Sequence, residues 1–134
     1  MPELTVNSPL GPLTLTETDG AIIELDWRQA SKEERSRLLK SAQAELTSYF
    51  AGELEKFSLP LNPKGTDFQK QVWLQMIEIP YGKALTYGNV AKSLSSSPRA
   101  VGGACSRNPI PIVIPCHRVI GANHNLTGYT GAGG

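Results

Sequence analysis

The stretch from Asn108 to Gly121 combines the residue types that nucleophilic chemistry requires. Cys116, His117 and Arg118 stand in succession at the end of a run that holds three prolines among β-branched residues. A thiolate is the reactive form of cysteine, and a nearby imidazole or cation stabilises its negative charge. The prolines and β-branched residues predict an extended, rigid segment. Because side chains alternate along an extended chain, His117 reaches Cys116 only if the chain turns or a water bridges them.

Two other interpretations of this thiol remain open from the residues alone. A single cysteine on an apolar segment is most often an inert, buried thiol. Cys105, Cys116, His117 and His124 could also be four metal ligands, but their spacing matches none of the common zinc patterns, which pair ligands closely at both ends. We therefore expect no metal site, and we expect Cys105 to be a small residue packed within its helix.

The composition is that of an ordinary globular protein. Hydrophobic residues make up 40% of the 134 residues and charged residues 19%, which excludes a disordered or collagen-like chain. No apolar run approaches the roughly 18 residues that span a bilayer, and no signal peptide opens the sequence. Two cysteines are too few for a disulfide framework. We expect a cytoplasmic protein with no membrane association.

The formal net charge of +1 conceals an uneven distribution. Residues 1–66 carry 7 Lys and Arg against 10 Asp and Glu, whereas residues 67–134 carry 6 against 2. No Asp or Glu follows Glu78. A basic second half is typical of a protein that meets a polyanion, although chance and solubility explain the charge pattern equally well.

The first half predicts a small α+β domain over residues 1–57. Leu4–Asn7 and Leu13–Thr16 indicate strands, and Asp19-Gly20 indicates a hairpin turn into a third strand, Ala21–Trp27. Ser31 and Glu34 match a capping box that would start a helix ending near Gly52. Its inward stripe, together with aromatic residues expected in the core, comprises Leu38, Ala42, Leu46, Tyr49, Phe50 and Trp27.

The proline-bearing stretch 58–65 predicts a linker to a second domain, 66–134. Thr66 and Gln69 form a capping box for a helix with a wide apolar face. Thr86–Leu94 predicts a short helix, and Pro98 suits the first position of another that runs to about Arg107. Two short helices joined by a tight polar turn are typical of a helix-turn-helix.

The second of these short helices has an unusual composition. Ala100, Gly102, Gly103 and Ala104 would leave one surface nearly without side chains, between Arg99 and Arg107. Two adjacent glycines cost a helix roughly 2 kcal/mol relative to alanine. Close packing against another helix explains the composition, and so does close approach to a phosphate backbone or a groove.

Several motifs in the second half, in the same order, resemble the O6-alkylguanine-DNA alkyltransferases. They are Ser97-Pro-Arg-Ala-Val-Gly-Gly103, Asn108-Pro-Ile-Pro111, Ile114-Pro-Cys-His-Arg-Val119 and Gly128-Tyr-Thr-Gly131. The resemblance runs from about Thr66 to Gly131. It implies an α+β protein with a small ribonuclease-H-like N-terminal domain and a mainly helical, winged-helix-like C-terminal domain that carries the helix-turn-helix.

The resemblance also assigns roles around the thiol. Cys116 looks like the acceptor that takes an alkyl group from O6 of guanine in one irreversible displacement, with no metal or cofactor. His117 resembles the histidine that helps deprotonate the thiol through a water. Asn108 matches an asparagine that links the helix-turn-helix to the active-site segment, and Tyr87 matches a tyrosine that turns the 3′ phosphate and supplies a proton near O6.

DNA contact is implied for a further set of residues. Arg99 resembles the arginine that enters the duplex in place of the flipped nucleotide, which offsets part of the cost of unstacking. The small residues of the same helix resemble a surface that lies in the minor groove of double-stranded DNA. The full DNA-binding set is Tyr87, Arg99, Ala100, Gly102, Gly103, Ala104, Lys83 and Arg107, and the pocket set is Pro115, Tyr129 and Thr130.

The sequence departs from the family pattern after Gly131. The family continues into a helix whose glutamate orients the histidine, whereas this sequence ends in Gly131-Ala-Gly-Gly134. We therefore expect weaker activation of the thiol by His117.

The predicted function is stoichiometric, irreversible alkyl transfer from O6 of guanine in DNA to Cys116, by a cytoplasmic monomer that is nucleoid-associated if the source is prokaryotic. The alternative is a non-catalytic sensor that binds alkylated DNA and recruits other repair factors; relatives of that kind replace the cysteine. A cysteine hydrolase ranks below both because the sequence has no recognisable oxyanion-hole motif.

Overall fold

A computed structural model describes residues 1–120, with Ile120 described by its backbone alone. The chain divides into two compact units, Met1–Pro63 and a second that begins at Lys64. The first unit is a small sheet with one helix, and the described part of the second is mainly helical. The chain is therefore α+β, as the sequence predicts.

A three-stranded antiparallel sheet forms the first unit, with strands β1 (Glu3–Ser8), β2 (Gly11–Thr18) and β3 (Ala21–Asp26) in that spatial order. Asp19 and Gly20 both have positive φ, 50° and 76°. A two-residue hairpin turn with positive φ at both positions matches the right-handed twist of the flanking strands, which explains the tight turn between β2 and β3.

Helix α1 (Arg37–Phe50) buries Leu39, Ala42 and Leu46. It starts later than predicted, because the capping residue is Ser36, whose Oγ accepts a hydrogen bond from Leu39 N at 3.1 Å.

The predicted Ser31–Glu34 capping box is wrong. Glu34 N donates to the carbonyl of Glu3 at 2.8 Å, and the Glu33 carboxylate accepts from Thr5 N at 3.2 Å. These bonds tie residues 33–34 to the edge of β1, so a tertiary pairing replaces the predicted helical start.

Two other details of the first unit differ from expectation or extend it. Trp27 is 39% exposed, so its prediction as a core residue is wrong; it follows the end of β3 at the sheet's margin. Ile22 N donates to Pro60 O at 2.9 Å and Asn62 N donates to Ile22 O at 2.8 Å. Part of the stretch 58–65 therefore pairs with β3.

The described part of the second unit contains helices α2 (Asp67–Ile77), α3 (Tyr87–Ser93) and α4 (Pro98–Ser106). A 3-10 turn, Cys116–Arg118, leads into β5 (Val119–Ile120), which pairs in parallel with β4 (Leu85–Thr86). The Thr66–Gln69 capping box is present with both of its hydrogen bonds. Thr86 and Asn89 form a second one at α3, which we had not predicted.

Trp73 joins α2 to α4 in the core of this unit. Its side chain is 1% exposed, and Nε1 donates to Ala104 O at 2.9 Å. A Cβ added at Gly65 would lie 2.5 Å from the indole ring, so only glycine lets the chain pass this close to the ring.

None of the helices within residues 1–120 is both long and apolar enough to cross a membrane.

Candidate functional site

The segment before Cys116 is folded back on itself rather than extended as predicted. Ile112 has φ of 74°, and Val113 N donates to Pro111 O at 2.9 Å, which is the geometry of a γ-turn. Ile114 N then donates to Ile110 O at 2.9 Å. A positive φ is strained for a β-branched residue, so the surrounding contacts must hold Ile112 in place.

A second tight turn presents the thiol. Pro115 has φ of −82° and ψ of 69°, and Cys116 N donates to Ile114 O at 2.8 Å. The chain then enters the 3-10 turn, in which successive side chains are about 120° apart rather than on opposite faces. The extended conformation predicted around Cys116 and His117 is therefore wrong: the chain turns at the cysteine itself.

Asn108 holds these turns together. Its Oδ1 accepts from Ile110 N at 2.9 Å, while Nδ2 donates to Ile114 O at 2.8 Å and lies 3.1 Å from Cys116 Sγ. Asn108 follows α4 directly, and its own N–H donates to Cys105 O at 3.2 Å. One amide side chain thus connects the end of the helix-turn-helix to the nucleophile.

Cys116 belongs to a buried group of three sulfur-containing side chains. We call this group, Met76, Cys105 and Cys116, the sulfur cluster. All three side chains are at most 2% exposed. Cys116 Sγ is 3.2 Å from Met76 Sδ, and Cys105 Sγ is 3.9 Å from the same atom. Both cysteines are free thiols. The sequence did not predict this cluster, although Met76 stands on the predicted apolar face of α2.

Tyr87, the first residue of α3, is 7% exposed. Its hydroxyl is buried and has no hydrogen-bond partner among residues 1–120. Burial, and after it negative charge at Cys105 and Cys116, raises the pKa of Tyr87 to about 12. The phenol therefore keeps its proton at neutral pH, and it is a donor without an acceptor among residues 1–120, near Cys105 and Cys116.

His117 is half-buried beside the nucleophile. Burial lowers the pKa of this imidazole, and the positive charge of Arg118 lowers it further. Arg118 Nη1 donates to Ile79 O at 2.8 Å, and its guanidinium lies 5.6 Å from the centre of the Tyr81 ring. The contacts of Arg118 fix the turn to the end of α2. The lowered pKa keeps His117 neutral, the form that can accept a proton.

Helix α4 presents a nearly bare face to solvent. Arg99, Gly103 and Arg107 are exposed, and Ala100 and Gly102 are partly exposed. A Cβ added at either glycine would meet nothing within 4 Å, so close packing inside the described chain does not explain them. The bare face therefore leaves space for another molecule to approach the helix backbone closely.

Ala104 does not belong to this face, and its prediction as a DNA-contacting residue is wrong. It is 2% exposed, and its carbonyl accepts the hydrogen bond from Trp73. A helix turns 100° per residue, so Ala104 points inward with Val101 and Cys105.

The remaining predicted site residues are more dispersed. Lys83 is exposed in the turn after α2, where it lines a cavity of about 390 Å³ with Ile79 and Leu85. Pro115 is buried within the turn that presents Cys116. Tyr129 and Thr130 lie outside the described residues, as does the chain end after Gly131. Within residues 1–120, no three His, Cys, Asp or Glu side chains are grouped so as to hold a metal ion.

The second unit places two short helices joined by a turn before a buried, hydrogen-bonded cysteine, an arrangement typical of a DNA-binding protein of the helix-turn-helix class. Residues 67–134 match the DNA binding domain of 6-O-methylguanine DNA methyltransferase, and residues 3–63 match the ribonuclease-like domain of the same protein family. The chain belongs to the 6-O-methylguanine DNA methyltransferase family, which confirms the resemblance found in the sequence.

Individual relatives agree with this assignment. The chain is 44% identical to a methylated-DNA–protein-cysteine methyltransferase of Methanosarcina acetivorans, over 91% of this chain and 85% of the relative. It is 43% identical to the constitutive enzyme of that name from Bacillus subtilis, over 96% and 86%. A crystal structure of Mycobacterium tuberculosis OGT in complex with DNA superposes with a TM-score of 0.83 at 41% identity, covering 96% of this chain and 84% of that one.

Proposed function

We propose that this protein repairs DNA by moving an alkyl group from O6 of guanine to its own Cys116. The observation that carries the proposal is the placement of Cys116: a free thiol, held by Asn108 at 3.1 Å and near the Tyr87 hydroxyl, which has no hydrogen-bond partner among residues 1–120. Family membership supplies the reaction class.

The transfer is one displacement at carbon. The electron pair of the Cys116 thiolate forms the new S–C bond, while the pair of the breaking C–O bond stays on O6 of guanine. Guanine leaves as an anion and takes up a proton, for which Tyr87 is the placed donor because it remains protonated at neutral pH. The product is a thioether, which has no route back to a thiolate. Each molecule therefore acts once.

His117 is the proposed acceptor of the thiol proton. Its neutral imidazole suits that task, and a single bridging water is the proposed path because no direct bond joins it to Cys116. The resulting imidazolium and thiolate carry opposite charges, which stabilises the thiolate before attack.

The bare face of α4 is the proposed contact with the minor groove. Its two glycines allow close approach to the sugar-phosphate backbone, and Arg107 supplies a phosphate contact at the end of the helix. Arg99 is the residue that enters the stack as the damaged nucleotide flips out. We further propose that the protein acts as a monomer in the cytoplasm, where both thiols stay reduced.

Intact-mass measurement on a duplex that contains O6-methylguanine tests the proposal. We expect the protein to gain the mass of one methyl group, never more, and peptide mapping to place it on Cys116. The Cys116→Ser variant gains nothing, whereas the Cys105→Ser variant, a matched change at the second thiol, still accepts one methyl on Cys116. Tight lesion binding without a mass gain in the wild-type protein would overturn alkyl transfer and favour the sensor function instead.

A further inference from the structure

The side chain of His117 has no hydrogen bond to another group within residues 1–120, although it is half-buried. Cys116 beside it is held firmly, by Asn108 at 3.1 Å and by contact with Met76 at 3.2 Å. A side chain that accepts a proton must point a ring nitrogen toward that proton. In the described part of the chain, the orientation of His117 therefore depends on the residues on either side of it.

Arg118, on the other side of His117, is anchored to the end of α2. Its Nη1 donates to Ile79 O at 2.8 Å. The guanidinium also lies 5.6 Å from the centre of the Tyr81 ring. Because a guanidinium is planar and its donors lie in that plane, it can bond a carbonyl at its edge and place its face on a ring at the same time.

Helix α2 thus meets the 3-10 turn at two points. Ile79 N donates to Met76 O at 3.0 Å, so these two residues lie one turn apart. Met76 contacts Cys116 through its sulfur, and Ile79 accepts from Arg118 through its carbonyl. The end of α2 therefore holds the backbone on both sides of His117.

The end of α2 also suits the charge of Arg118. The last turn of the helix has no basic residue of its own. Carbonyl groups at a helix C-terminus carry partial negative charge, which attracts a cation. Arg118 supplies that cation from the 3-10 turn, and its charge acts on the neighbouring imidazole as well.

We propose that Arg118 is a positioning residue for alkyl transfer: by binding the end of α2, its guanidinium holds the His117 imidazole where it can accept the Cys116 proton. The inference rests on the proposed function, in which Cys116 is the alkyl acceptor and His117 takes its proton. Arg118 itself exchanges no proton and touches no reacting atom, so it acts through His117.

The anchor and the charge of Arg118 affect different quantities. The anchor affects the transfer rate at high pH, where His117 is fully neutral. The charge affects the pH at which His117 becomes neutral, since it adds to burial in lowering the pKa of the imidazole. Without the charge that pKa rises, so half-maximal transfer requires a higher pH.

Several other titratable or charged groups stand on the elements packed against the turn. They are Glu78, Tyr81 and Lys83 between α2 and β4, Tyr87 on α3, Cys105 on α4 and Cys116 on the turn itself. Substitutions at Arg118 leave all of them in place, so a change in midpoint reports the loss of the Arg118 charge.

Two variants of Arg118 separate these effects. Arg118→Met keeps an unbranched stem and removes both the charge and the donors, whereas Arg118→Lys keeps the charge and a donor. We expect single-turnover methyl transfer at high pH to slow about tenfold in Arg118→Met and only about twofold in Arg118→Lys. We expect the pH of half-maximal transfer to rise by about half a unit in Arg118→Met and to stay unchanged in Arg118→Lys.

An NMR titration of His117 in the protein without DNA supplies a readout that does not depend on transfer. The substitution His124→Gln in every sample leaves His117 as the single histidine. We expect the pKa of His117 to rise in Arg118→Met and in Arg118→Gln, a second neutral variant, and to stay unchanged in Arg118→Lys. Arg37→Met, the same change at an exposed arginine of the first unit, should alter neither the pKa nor the rate.

Three outcomes would overturn the role of Arg118. The first is wild-type transfer by Arg118→Met at every pH. The second is slower transfer with an unmoved midpoint and an unmoved His117 titration, because lost packing would then be the cause. The third is an Arg118→Lys protein as slow as Arg118→Met. The mass gain of the wild-type protein on Cys116, measured in the same samples, decides the proposed function separately.

Discussion

The hydroxyl of Tyr87 is buried without a hydrogen-bond partner in the part of the chain that the structure describes, which native cores rarely tolerate. An unsatisfied buried hydroxyl costs about 1–3 kcal/mol of stability. The buried Thr5 and Thr14 hydroxyls avoid this cost by bonding each other at 3.2 Å, whereas Thr16 Oγ1 in β2 is also without a partner among residues 1–120. The free donor of Tyr87 differs from that of Thr16 in lying near Cys116, where it is available to the leaving guanine.

Replacing Tyr87 by phenylalanine separates stability from activity. We expect Tyr87→Phe to raise the free energy of unfolding by about 1 kcal/mol, because the unpaired hydroxyl is gone, and to slow methyl transfer by roughly 100-fold, because the proton donor is gone. Urea denaturation and single-turnover transfer measure the two effects. Tyr81→Phe is the matched control for the rate. A variant that is less stable than wild type, or equally fast, would contradict this role.

The lowered pKa of His117 makes the folded protein sensitive to acid. Below about pH 6.5 the unfolded chain takes up a proton at this position that the folded chain, with its lower pKa, does not yet bind. Stability should therefore fall as the pH drops below 6.5. Denaturation between pH 7.5 and 5.5 checks this: we expect a smaller loss in His117→Gln than in wild type, and equal losses in both proteins would contradict it.

The Thr66–Gln69 capping box is a local signal that the sequence predicts correctly. The side chains of Thr66 and Gln69 each accept a hydrogen bond from the other residue's backbone N–H, so four consecutive residues contain the whole interaction. The Ser31–Glu34 prediction failed for the opposite reason. The residues at this position form hydrogen bonds with β1, which lies about 30 positions earlier in the chain. A motif of four residues cannot predict a partner so distant in the sequence.

The turns before Cys116 show the same limit at the site. The residue types that react, and their position after the helix-turn-helix, follow from the sequence. The γ-turn does not, because β-branched Ile112 disfavours a positive φ locally and adopts it only where Asn108 and the buried neighbours enforce it. The sulfur cluster could not be predicted from the sequence either, because α2, α4 and the 3-10 turn each contribute one sulfur atom to it.

The glycines of α4 lower the stability of the helix and leave its surface bare. Because an added methyl at Gly103 meets open space, we expect Gly103→Ala to stabilise the free protein by about 1 kcal/mol and to weaken duplex binding several-fold. Thermal unfolding and a DNA titration measure the two changes. Gly102→Ala, at the edge of the face, makes the same helical gain with a smaller loss of affinity. Gly103→Ala with undiminished affinity would remove this face from the interface.

The distribution of charge along the chain follows the division into two units. Among residues 1–120 the ion pairs join Arg28 to Glu3 and to Asp26, all in the first unit. In that same range no cation of the second unit has a carboxylate partner. Arg118 is bonded to Ile79 O, whereas the exposed Lys83, Arg99 and Arg107 can reach phosphates. The half that resembles the DNA binding domain is therefore basic, although the full chain is nearly neutral.

Arg99 on α4 and Arg107, the residue that follows α4, should differ in what they do for duplex repair. We expect Arg99→Ala to slow transfer from a damaged duplex at saturating protein while leaving reaction with the free O6-alkylguanine base unchanged, because only the duplex requires base flipping. Arg107→Ala, the control, weakens binding but regains full speed at saturation. Equal losses of Arg99→Ala on both substrates would count against an intercalating role.

The tight enclosure of Cys116 has a consequence for the molecule after its single reaction. The Cys116 side chain is 0% exposed and its Sγ lies 3.2 Å from Met76 Sδ, so an added carbon meets closely packed neighbours. One added methyl overfills a close-packed interior, at a typical cost of about 1–3 kcal/mol. We therefore expect methylated molecules to unfold at a lower temperature than unreacted ones. A mixed population should then show two melting transitions, and their relative sizes report how many lesions have been removed, without any labelled DNA.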